Sequence, residues 1–201
     1  MASPRSRRNP RPGSPRARLF IAMDLPDAAR VELAEWRAEA FAGREEVRLV
    51  APEALHVTLV FLGYKPEKEI PRIGELMRAS VPAGEPPELV ATGVKPVPPR
   101  RPRLFALDLE DDAGRAVAVQ AALSDAFEAE KLYVPEKRPF WPHVTLARVK
   151  RGARAEPLEA PPPPADAWRA DAVTLYRSTL LPQGARYDAL ERLPLADPAG
   201  S

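Results

Sequence analysis

The sequence predicts an α+β fold made of two related lobes, each of antiparallel sheet with helices on one side. Three observations carry that prediction. Short apolar runs that alternate in polarity are interleaved with stretches of helical periodicity. Strand-like and helix-like segments are mixed in both halves, as in antiparallel sheets backed by helices. One four-residue segment, His-Val-Thr-Leu, occurs once in each half, at 56–59 and at 143–146, and the chain has no other histidine.

The elements follow in order. Residues 18–24, RLFIAMD, form an apolar run closed by an Asp and a Pro, and read as a strand. Pro26 suits the first turn of a helix, where its missing N–H costs nothing. Val31, Ala34, Ala38 and Phe41 then supply an apolar stripe, and Gly43 ends the helix. A short extended piece at 47–50 precedes the first HVTL strand. A second helix is expected within 66–80, with Ile70, Ile73 and Met77 on one face and Pro71 near its start. Strands are expected at 89–97 and 104–109, joined by the basic, proline-rich loop 98–103. A third helix spans 111–130, with Val117, Ala121 and Phe127 among its buried side chains. The second HVTL strand follows a loop at 134–142. Residues 150–165, with four prolines at 161–164, read as an exposed excursion. Strands at 170–181 and 187–193, turned by Pro182-Gln-Gly184, close the chain.

Composition narrows the chemistry. At 201 residues the chain fits a single bilobal domain over 18–193, flanked by tails at 1–17 and 194–201. There is no cysteine, which removes disulfides, thiolate metal sites and a cysteine nucleophile. A reducing cytoplasm fits that usage. No apolar run is long enough to span a bilayer, so no membrane role is expected, and the N-terminus lacks the apolar core of a secretory signal. That N-terminus is rich in Arg, Pro and Ser and reads as disordered. Setting aside its six arginines leaves 24 of the 30 basic residues against 28 acidic ones, a net charge of −4. Global charge therefore says little about a nucleic-acid partner. No coiled-coil pattern or extended apolar surface argues for an oligomer, so a monomer is expected.

The repeated motif carries the chemistry. Along a strand, alternate side chains share a face, so His56 stands beside Thr58 and His143 beside Thr145. Val57, Leu59, Val144 and Leu146 form apolar backs that anchor each strand. If the halves face each other, two imidazoles converge on one cleft. Imidazole titrates near neutrality, so one can take a proton while the other gives one. Such a pair suits in-line displacement at phosphorus, with the threonine hydroxyls donating to the non-bridging oxygens. Two histidines alone make a poor zinc site, and no carboxylate accompanies them on the patch face. No metal and no cofactor are expected.

With the flanks RLFIAMDLP (18–26), LHVTLVFLG (55–63), RPFWPHVTLARVK (138–150) and LYRSTLLPQGARYDAL (175–190), the chain resembles the two-histidine phosphoesterase superfamily. Within it, the resemblance is to the RNA 2′,3′-cyclic phosphodiesterases once called 2′-5′ RNA ligases. It covers residues 18–193. The resemblance implies two pseudo-symmetric lobes around a central cleft, with His56 as proton donor, His143 as proton acceptor, and Thr58 and Thr145 on the phosphate. It implies metal-free hydrolysis of an RNA or oligonucleotide 2′,3′-cyclic phosphate to a 2′-phosphate. Hydrolysis or ligation of 2′-5′ linkages, and a non-catalytic RNA- or nucleotide-binding module, are the alternatives.

Phe140 and Trp141 are candidates for stacking on a base. A polar or basic residue is common at the position of Trp141 in the family, so this indole is a departure. Arg100, Arg101 and Arg103 are candidates for RNA contact. A regular strand would turn Arg148 away from His143 and Thr145. Arg48 and Tyr176 are further candidates for the cleft wall.

Overall fold

A computed structural model of the chain describes residues 14–111, 113–181 and 184–195. In order along the chain these form β1 (Arg16–Asp24), α1 (Asp27–Ala40), β2 (Val47–Leu49), β3 (His56–Pro66), α2 (Ile70–Ser80), β4 (Glu88–Val97), β5 (Leu104–Glu110), α3 (Arg115–Ala129), β6 (His143–Val149), β7 (Trp168–Arg169), β8 (Ala172–Leu181) and β9 (Gly184–Pro194). The fold is α+β, as the interleaved periodicities predict. The disorder expected for the tail falls on residues 1–13, outside the described residues, whereas Arg16 and Ala17 belong to β1. The expected Pro182 turn also lies mostly outside them, as does most of the C-terminal tail.

The strands make one antiparallel sheet in the order β7-β4-β5-β6-β3-β1-β8-β9, with β2 paired to β6. The two motif strands, β3 and β6, meet at its centre through Val57 and Val144. One lobe is β3-β1-β8-β9, the other β6-β5-β4-β7 with β2. The lobes are therefore not the two halves of the sequence. The C-terminal hairpin β8–β9 returns to β1, while β4 and β5 leave the first half to join β6. Leu19, Ile21, Met23, Val57, Phe105, Leu107, Val144 and Leu146 are all but inaccessible and form the core against the helices.

Two helices bury faces other than those expected. In α1 the buried residues are Ala29, Leu33 and Arg37, with Val31 58% exposed; of the expected stripe only Phe41, the C-cap residue, is buried. The i, i+4 series 29-33-37 wins because the Arg37 guanidinium goes inward and donates to the Leu146 carbonyl, 3.2 Å away. A buried charge at that position masks the stripe. In α3, Ala116, Val119, Leu123 and Phe127 face inward, and Val117 and Ala121 do not. That helix is apolar on several sides, which leaves its periodicity ambiguous. The second helix starts as Pro71 dictates, within its first turn, and buries Ile73 and Met77.

Candidate active site

The pairing of β3 with β6 sets the geometry. Their antiparallel register about Val57 and Val144 places His56 across from Thr145, and Thr58 across from His143. The two motifs thus interlock crosswise, with all four polar side chains on the face opposite the buried Val57 and Val144. All four are half-buried. His56, Thr58 and Thr145 line a pocket of about 120 Å³, and Thr58 and His143 line an adjoining cavity of about 380 Å³. The sequence-predicted quartet is brought together.

Each imidazole is pinned the same way. Nδ1 of His56 donates to the Ala54 carbonyl and Nδ1 of His143 to the Trp141 carbonyl, both at 2.8 Å. A carbonyl only accepts, so these bonds fix Nδ1–H and leave Nε2 for the chemistry. Nε2 of His56 sits 3.0 Å from Thr58 Oγ1. Burial pushes His56 down to about 4, against the pull of the Ala54 carbonyl, and the nearby His143 and Arg148 add to the depression. At neutral pH the unliganded protein therefore holds His56 uncharged, its Nε2 accepting the Thr58 hydroxyl.

A β-bulge follows each motif and changes what faces the site. In β3, pairing with β1 steps from Ala22–Thr58 to Ile21–Val60, skipping Leu59. In β6, pairing with β5 steps from Ala106–Thr145 to Phe105–Ala147, skipping Leu146. Two consecutive residues are buried at each step, Leu59 with Val60 and Leu146 with Ala147, so the alternation flips. Phe61 and Arg148 consequently return to the motif face and line the 120 Å³ pocket. The expectation that Arg148 points away from the phosphate is thereby corrected: the strand is not regular, and its guanidinium reaches the His56 side of the cleft. Arg18 lies 4.5 Å over the Phe61 ring and donates to Ser178 Oγ at 2.7 Å.

Of the supporting shell, Tyr176 is the member the sequence named as a cleft-wall candidate. Phe20 packs against His56 with ring centroids 5.0 Å apart, and Tyr187 meets the same imidazole edge-on at 5.3 Å. Tyr176 lies behind, stacked on Phe20, and donates to Asp24 Oδ1 at 2.8 Å. Thr174 donates to the other oxygen of that carboxylate at 2.7 Å. Asp24 faces His56 in the β1–β3 ladder, so this cluster lies beside the first motif. Burial raises the Asp24 pKa, against those two hydrogen bonds and Arg192.

The other candidates separate. Trp141 stacks on the His143 ring, with centroids 4.3 Å apart and planes 18° from parallel. Its Nε1–H donates to Asp108 at 2.5 Å, and Lys95 pairs with the same carboxylate at 2.6 Å. One face of the indole is therefore taken by the histidine. Phe140 packs on the core edge and lines the 380 Å³ cavity beside Trp141. Arg48, Arg101 and Arg103 line a larger groove that shares Arg148 with the 120 Å³ pocket; Arg100 is exposed on the same loop outside that lining. Among the described residues no cluster of three or more His, Asp or Glu is placed to hold a metal ion, and no helix is long and apolar enough to cross a membrane.

Two histidine–threonine pairs on the joined strands of two antiparallel lobes define a phosphoesterase-type cleft, and comparison with known proteins agrees. The family model described as the 2′-5′ RNA ligase superfamily matches residues 25–180, and the chain belongs to that superfamily. An RNA 2′,3′-cyclic phosphodiesterase of Thermus thermophilus is 33% identical over 192 residues, covering 89% of this chain and 90% of its own. One from Escherichia coli K12 is 30% identical over 185 residues, covering 89% and 96%. Among solved structures, Escherichia coli LigT complexed with 3′-AMP superposes with a TM-score of 0.76 at 27% identity, covering 91% of this chain and all of that one.

Proposed function

We propose that this protein hydrolyses RNA ends bearing a 2′,3′-cyclic phosphate to 2′-phosphomonoesters, without a metal cofactor. The crosswise quartet His56, Thr58, His143 and Thr145, with both Nδ1 atoms pinned, carries the reading. The similarity to RNA 2′,3′-cyclic phosphodiesterases of Thermus thermophilus and Escherichia coli supports it.

In this mechanism His143 Nε2 takes a proton from water as the water oxygen bonds to phosphorus. The bond from phosphorus to O3′ breaks, and His56 Nε2 gives its proton to that oxygen. The products are a 2′-phosphate and a free 3′-hydroxyl, with one proton moved from His56 to His143. Thr58 and Thr145 donate to the non-bridging oxygens, and Arg148 offsets their charge from the pocket wall. On this reading the terminal base lies in the 380 Å³ cavity, against Phe140 and Trp141, which line it. The protein acts as a monomer in the cytoplasm on this reading.

The test is turnover of an oligonucleotide ending in a 2′,3′-cyclic phosphate, in EDTA, with the product phosphate located by NMR. Release of a 2′-phosphate is expected. A 3′-phosphate would reverse the roles of the two oxygens, and activity lost to EDTA would remove the metal-free mechanism.

A further inference from the structure

A groove of about 1010 Å³ leaves the catalytic cleft at Arg148, which lines both. It is far larger than the 120 Å³ pocket at the histidines, so it has room for more than the reacting end. Three segments build it: β2 through Arg48, the β4–β5 loop through Arg101 and Arg103, and the end of β6 with its following turn through Lys150, Arg151 and Arg154. Among the described residues, no acidic side chain lines it. The acidic groups near it are at the rim, where Glu156 pairs with Arg154 at 3.3 Å and Glu46 lies within the field of Lys150.

Such a lining fits one kind of occupant. Guanidinium groups donate in forks to phosphate oxygens, and a row of them repels any cationic partner. Pro102, Val149, Gly152 and Ala153 fill the wall between them with small or apolar surface, against which a sugar can lie. The side chains of Arg101, Arg103, Arg151 and Arg154 are exposed, so a strand reaches them without displacing the core.

Resting on the proposed activity, we infer that this groove binds the single RNA strand leading into the cyclic end, and so selects polynucleotides over mononucleotides. Arg148 marks the junction: the terminal phosphate lies on its cleft side, the preceding phosphates on its groove side. The strand leaves past the β4–β5 loop and the 150–155 turn. Roughly three phosphates engaged would give a salt slope of about −2 for the strand.

The test compares kcat/KM for cytidine 2′,3′-cyclic phosphate with that for a hexanucleotide ending in the same group. The readout is the ratio of the two, in the wild type and in Arg151→Glu/Arg154→Glu, with circular dichroism checking the fold. The hexanucleotide is expected to be favoured at least tenfold at low salt, and that ratio to fall toward one in the variant and at high salt. A ratio near one in the wild type, or one that the variant leaves unchanged, overturns the inference. Turnover of neither substrate would instead refute the proposed activity. Fluorescence anisotropy of a labelled hexanucleotide 3′-phosphate then decides the groove: binding weakened at least tenfold in the variant supports it, and equal binding refutes it.

Discussion

Phosphate binding is predicted to recharge His56. In the unliganded protein its midpoint is about 4, because burial disfavours the imidazolium and the nearby His143 and Arg148 add to that. A donor of that acidity holds almost no proton at pH 7. The substrate supplies what is missing: a phosphate monoanion seated about 4 Å away attracts the imidazolium by about 4 kcal/mol at an effective dielectric of ~20. At about 1.36 kcal/mol per pH unit, the midpoint rises by about three, to near 7. The site thus takes up a proton as it takes up substrate, and the donor is charged when it is needed. With only two histidines in the chain, long-range proton–nitrogen correlation spectra resolve both imidazoles. Titrating the free protein and its complex with a nucleoside 2′-monophosphate should show the His56 midpoint moving from about 4 to near 7. A free-protein midpoint near 6.5, or one that ignores saturating phosphate, would refute the reasoning. Arg148→Gln should raise the free midpoint, since it removes one of the depressing charges.

Three further outcomes are expected. Trp141→Ala removes the ring stacked on His143, and a stacking worth about 0.5–1.5 kcal/mol translates to a loss of about two- to thirteen-fold in kcat; Trp141→Phe, which keeps a ring there, should lose less, and equal losses would disprove a positioning role. Asp24→Ala leaves the Thr174 and Tyr176 hydroxyls without their acceptor, a cost of about 3 kcal/mol that should lower Tm by about 6–12 °C in calorimetry. A drop under 2 °C would contradict that cluster's structural role. The kcat profile should fall on the alkaline side as His56 in the complex loses its proton, and a profile flat between pH 5 and 9 would remove the acid–base assignment.

Much of the site was legible because its signal is local. His56, Thr58, His143 and Thr145 follow from strand alternation over three residues, and the apolar backs of Val57 and Val144 need no tertiary information. Phe61 and Arg148 were not legible. Their orientation depends on the bulges at Leu59 and Leu146, which arise from the register against β1 and β5 rather than from the residues themselves. The lobe assignment failed to follow the sequence halves for the same kind of reason, since β8 finds its partner, β1, about 150 residues away and brings β9 with it. Arg37 misled the reading of α1 because a charged residue is assumed to face water until its acceptor, here the Leu146 carbonyl, is seen. Trp141 reads in the sequence as a base-stacking candidate, and in the fold one face of its ring is taken by the His143 imidazole.

The central claim is that His56 and His143 act as one unit on a single phosphate. Steady-state turnover of a cyclic-phosphate oligonucleotide by His56→Ala, His143→Ala and the double variant tests it most directly. Each single variant should lose about 10²- to 10⁴-fold in kcat, and the double should lose scarcely more than the worse single, because a proton given and a proton taken belong to one transition state. If either single variant keeps more than a tenth of the wild-type rate, or if the two losses multiply, the paired mechanism is wrong.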